Sequence, residues 1–115
     1  MALFGHLIDL VNIIFVISIS MINAEGEEVE TTWYFLEVTT PRDCPSNVGC
    51  FFPEDNTIWI RIDKIDKTDK CGRNVILHEL MHIKYLGQKI HNDCSLDESM
   101  YITRISIVDI WSSTT

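Results

Sequence analysis

The segment HELMH, from His78 to His82, places two histidines four positions apart with a glutamate directly after the first. On an α-helix this spacing projects both imidazoles from one face, about one turn apart. Such a pair can fill two corners of a tetrahedral metal site only if the backbone between them is helical, so the motif dictates local structure. The neighbouring residues agree. From about Arg73 to Leu86 the apolar residues recur with helical period: Ile76, Leu77, Leu80, Ile83 and Gly87 fall on one side, and His78 and His82 on the other. Gly87 reads as the helix terminator. Glu79 lies about 100° around the helix from His78, where a carboxylate reaches a water beside a metal without binding the metal itself.

The rest of the chain reads as a small α+β domain. TTWYFLEVTT is rich in β-branched and aromatic residues and stops at Pro41, as a strand does. PRDCPSNVGC is a loop or hairpin closed by its own cysteines. In NTIWIRID, Ile58, Ile60 and Ile62 alternate with Trp59, Arg61 and Asp63, the pattern of a half-buried strand. Near the carboxyl end, Ser95 and Glu98 have capping-box spacing, and Leu96, Met100, Thr103 and Ile107 can share a helical face. The β-branched content of YITRISIVDIW weakens this helix and leaves a strand as the alternative. Trp33, Trp59 and Trp111 are expected to supply core area.

With 115 residues the chain has room for one domain, and a formal charge of −8 offers no basic face to nucleic acid. Lys64, Lys67 and Lys70 alternate with Asp63, Asp66 and Asp69, which reads as a solvated loop. The amino end is nearly uncharged, with an apolar centre from Leu10 to Ile22 and a small residue at Ala24. That pattern suggests a signal peptide over residues 1–24, containing His6, or a membrane anchor if it is not cleaved. A single domain over residues 25–115 would follow, opening on a mobile acidic lead-in, EGEEVE. The protein is then expected to be secreted and monomeric, with its cysteines oxidised. Four cysteines permit three pairings. Proximity favours Cys44 with Cys50, and Cys71 with Cys94, which bracket the histidine segment.

HELMH, the following LG, His91 and then ESMY at Glu98 to Tyr101 together resemble the metzincin zinc metallopeptidases, and especially their matrixin-like members. The family pattern is HExxHxxGxxH followed by a Met-turn. The resemblance covers about Asn56 to Tyr101 and implies a small zincin domain: a short mixed sheet, an active-site helix and a brief carboxyl-terminal subdomain. It implies one Zn2+ ion held by His78, His82 and His91, Glu79 as general base, and Met100 as the Met-turn floor. The implied activity is that of an endopeptidase, with the strand IWIRID as the sheet edge that pairs with an extended peptide substrate. The spacing differs from the family's, because Gly87 stands five and His91 nine residues after His82 rather than three and six. A carboxylate from the next segment, as in gluzincins, is the competing third ligand: Glu98 first, then Asp93 and Asp97. Tyr101 is expected either to pack or to stabilise an oxyanion. A binding protein of the same fold without turnover is the alternative from another functional class.

Overall fold

The computed structural model describes residues 13–37, 44, 46 and 48–108. It is an α+β fold with a five-stranded mixed sheet and one α-helix. The strands are β1 (Ile13–Ile22), β2 (Glu28–Leu36), β3 (Gly49–Phe52), β4 (Thr57–Arg61) and β5 (Tyr101–Val108), and the helix α1 spans Val75–Tyr85. Their order across the sheet is β3-β4-β2-β1-β5. β1 pairs antiparallel with both β2 and β5, β3 pairs antiparallel with β4, and the β2–β4 pair is parallel. The chain therefore crosses from β2 to the far edge, forms β3, and returns through a hairpin to place β4 between them.

Within the apolar run read as the centre of a leader, Ile13–Ile22 form the strand β1. Val16, Ile19 and Met21 are buried, and Ile19 and Met21 belong to the main core beside Trp33, Phe35, Ile58 and Ile60. β-branched residues packed on both faces of a sheet give the same uncharged run that a leader does. The supposed cleavage site is a turn in this structure. Asn23 accepts hydrogen bonds at Oδ1 from the backbone N–H groups of Glu25 and Glu27, at 2.9 and 3.0 Å, and Gly26 takes φ 81°. EGEEVE, expected as a mobile lead-in, completes that turn and starts β2. No helix among the described residues is long and apolar enough to cross a membrane. His6 and Trp111 lie outside the described residues.

The polar atoms of Trp33 and Thr31 are satisfied inside the core. Trp33 is fully buried, and its indole N–H donates to Thr31 Oγ1, whose hydroxyl donates to the Ile19 carbonyl. Burial of a side chain such as Trp33 contributes on the order of 2 to 3 kcal/mol. A second cluster on the opposite face joins Ile13, Val16, Leu36 and Trp59. Both faces of β4 are covered, so Trp59 is as buried as its isoleucine neighbours rather than on a wet face.

Helix α1 lies over the β3–β4 end. Val75, Leu80 and Ile83 join the core, with Ile76 packed against it. Asn74 caps the helix by accepting from the Leu77 N–H at 2.8 Å. A Cβ on Gly49 would stand 3.1 Å from Ile60 Cδ1 and 3.3 Å from Val75 Cγ1, so this glycine lets the start of α1 approach β3. At the other end Leu86, not Gly87, takes the left-handed conformation, with φ 52° and ψ 51°. Gly87 is extended. The Leu86 N–H bonds to the His82 carbonyl, which closes the helix.

Both expected disulfides are present, Cys44–Cys50 and Cys71–Cys94. Two further sequence expectations do not hold. The strand IWIRID is not a sheet edge, because β3 pairs along its outer side and takes the edge position. The helix expected from Ser95 does not form: Asp93 accepts from the backbone N–H and hydroxyl of Ser95, and Asp97 does the same for Ser99. These local bonds compete with helix nucleation, and the β-branched run beyond them forms β5.

Candidate metal centre

Helix α1 carries His78 and His82, and the 3-10 turn Gln88–His91 brings His91 against them. The fully buried Ile90 pins that turn into the protein, which fixes the residue after it. The candidate ligand nitrogens of the three histidines all lie within 4.8 Å of one another. The rings of His78 and His91 are nearly parallel at 5.1 Å, and His82 stands edge-on to both at 4.8 Å.

The hydrogen bonds fix which nitrogens face inward. His82 Nδ1 is 3.1 Å from the Gly87 carbonyl, and His78 Nδ1 is 2.7 Å from Asp69 Oδ2. A carbonyl and an ionised carboxylate can only accept, so both imidazoles donate from Nδ1. Their lone pairs are then on Nε2, and these two nitrogens face each other at 3.2 Å. With both rings neutral, two acceptors at that distance repel unless a proton or a metal ion stands between them. Two zinc–nitrogen bonds of about 2.0 to 2.1 Å at a tetrahedral angle put the nitrogens roughly 3.3 Å apart. The donor set fits a metal ion of that kind.

Glu79 is 4% exposed, and its Oε1 has no hydrogen-bond partner among the described residues. Burial pushes its carboxyl up to about 8. His82 is held down at about 4, chiefly by desolvation, and desolvation also lowers His91. Both imidazoles are thereby kept in the neutral form that metals bind. Burial pushes the Asp69 carboxyl upward. Hydrogen bonds from His78, from the backbone of Arg73 and Cys71, and from the Arg73 guanidinium outweigh it and hold the group at about 2.

His78, Glu79, His82 and His91 line one cavity of about 600 Å³. Its other wall comes from Cys50, Phe51 and Phe52 of β3, and the Phe51 ring lies 6.5 Å from that of His82. The edge strand β3 and the histidines thus border the same cavity.

The other candidate residues are elsewhere. Glu98 is exposed and outside the histidine cluster. The Lys84 ammonium donates to the carbonyls of Asp97 and Ser99 at 3.1 and 2.6 Å, and the Tyr85 hydroxyl donates to Asp97. These contacts hold the segment around Glu98 against Lys84 and Tyr85, and none of these three residues lines the histidine cavity. Asp93 and Asp97 are occupied by their own turns and are likewise outside the cluster. Met100 packs against the main core and does not line the cavity. Tyr101 is 70% exposed, so it is not packed, and it does not line the histidine cavity.

Two residues escaped the sequence reading. Asp69 sits in the aspartate–lysine alternation that reads as solvated, and Arg73, 2% exposed, precedes the helix. The available signal was D-x-x-G-R at Asp69 to Arg73, an aspartate-led turn ending on an arginine directly before a capped helix. No family model, curated protein or solved structure matches this chain.

Proposed function

We propose that this chain is a small zinc-dependent endopeptidase, a shortened relative of the metzincin-like zincins, with His78, His82 and His91 as ligands and Glu79 as general base. The observation that carries this reading is the facing Nε2 pair of His78 and His82 at 3.2 Å, completed by His91 and set beside an unpaired buried carboxylate. The HELMH, LG, His91 and ESMY resemblance supports it from the sequence side. Zinc bound by three histidines supplies a Lewis acid that polarises a carbonyl and makes a water easier to deprotonate.

The chain's own residues do the rest. Glu79 accepts the proton of the attacking water and returns it to the leaving amine. Desolvation raises its proton affinity, and a neighbouring cation favours its ionised form, so the group can both take and give a proton near neutrality. The carbonyl of Gly87 and the carboxylate of Asp69 hold the two helix imidazoles with their Nε2 lone pairs inward. An extended peptide adds to the outer edge of β3, which borders the cavity, in place of the β4 edge expected from sequence. Two disulfides suit an oxidising, extracytoplasmic setting. Glu98 as third ligand, the gluzincin arrangement, is disfavoured because Glu98 neither joins the histidine cluster nor lines its cavity.

The test is Glu79→Gln in the full chain, assayed on an unstructured peptide with metal content measured in parallel. The expected result is a loss of about 10² to 10⁴ in turnover with zinc retained. A disulfide-stabilised binding protein of the same shape would instead behave identically with Glu79 intact or replaced.

A further inference from the structure

We propose that Asp69 and Arg73 are positioning residues that set two of the three histidine ligands together, an inference that rests on the metal reading above. Asp69 is itself held rigidly. Its Oδ1 accepts from the backbone N–H groups of Cys71 and Arg73, at 2.8 and 3.0 Å, which leaves Oδ2 aimed at two side chains. Those are the Arg73 Nε, at 2.8 Å, and the His78 Nδ1, at 2.7 Å. The carboxylate therefore determines the His78 tautomer and turns its Nε2 toward His82.

Arg73 extends the device to the third ligand. Its second arm donates from Nη2 to the carbonyl of Ile90, the residue directly before His91. One buried guanidinium thus holds both the carboxylate behind His78 and the backbone beside His91. These two ligands come from different segments, and the Cys71–Cys94 disulfide joins the same two loops. The planar arginine fork permits this two-way contact, whereas a lysine ammonium offers a single point of charge. Asp69 also neutralises Arg73, so the buried cation is not left unpaired next to a site that takes another.

Carboxylates hydrogen-bonded to metal-ligating histidines are worth about 10- to 100-fold in metal affinity. In Asp69→Asn the amide can keep the turn through its oxygen, but it presents an N–H group to His78 and favours the opposite tautomer. Imidazole nitrogen NMR on the metal-free full chain is expected to show His78 protonated at Nδ1, with that signature lost in Asp69→Asn. Zinc titration against a competing chelator is expected to show affinity weakened about 10- to 100-fold in Asp69→Asn and in Arg73→Lys, with stoichiometry unchanged. Finding His78 protonated at Nε2 in the wild-type chain overturns the proposal whether or not metal binds. Zinc uptake by wild type with unaltered affinity in both variants overturns it alone. No zinc uptake by wild type overturns the metal reading along with it.

Discussion

The two ends of the sheet differ in what holds them. At the β3–β4 end, helix α1 covers Ile58, Ile60 and Trp33, and the opposite face is closed over Trp59 and Leu36. At the β5 end, Ile105 and Ile107 are 60% and 83% exposed, and Phe15 on the neighbouring strand is 42% exposed. Backbone pairing with β1 rather than side-chain burial holds β5 in place. The histidine cluster sits at the covered end. A donor set that must keep its nitrogens within a few ångströms requires side chains locked by packing, and among the described residues the covered end offers that.

The contrast is open to direct attack. β1 links the two ends, so a chain beginning at Glu25 would lose the strand between β2 and β5 and two residues of the main core. Circular dichroism and denaturant titration of that truncated chain are expected to show no cooperative transition. A cooperative unfolding curve would return β1 to the role of a dispensable leader. Within the full chain, Trp33→Ala should destabilise by about 3 to 5 kcal/mol. Ile107→Ala should stay within about 0.5 kcal/mol of the parent. Comparable losses for the two would erase the distinction between the ends.

How much of this was legible in the sequence follows the same division. The helix, its two histidines and the Cys44–Cys50 disulfide depend on residues close in the chain, so spacing reported them; Cys71–Cys94, 23 residues apart, was favoured as the pair that brackets the histidine segment. The position of β4 was not legible, because its parallel pairing with β2 is a long-range choice invisible to local alternation. That part of the apolar amino-terminal run forms a strand was not legible, because an uncharged β-branched run suits a leader and a buried strand equally. The helix expected at Ser95 lost to two aspartate turns, and with it Glu98 lost its route to the histidines. Asp69 was hidden among solvated neighbours, since only the folded loop shows that one of the alternating carboxylates points inward.

Leu86 offers the finest adjustment at the covered end. A left-handed conformation costs a non-glycine residue about 1 to 2 kcal/mol, and here it sits one residue before the carbonyl that orients His82. Leu86→Gly is expected to raise stability by roughly 1 kcal/mol in denaturant titrations, with metal affinity unchanged. A loss of metal affinity without a loss of fold would instead assign the Leu86 side chain, which lines the cavity, a part in the site.

The central claim is most directly tested by elemental analysis of the purified full chain beside its His78→Ala, His82→Ala, His91→Ala and Glu98→Ala variants. About one zinc per chain is expected in the parent and in Glu98→Ala, with the metal lost or greatly weakened in each histidine variant. A parent chain without stoichiometric metal, or one that keeps it without His91 and loses it without Glu98, would contradict the three-histidine centre.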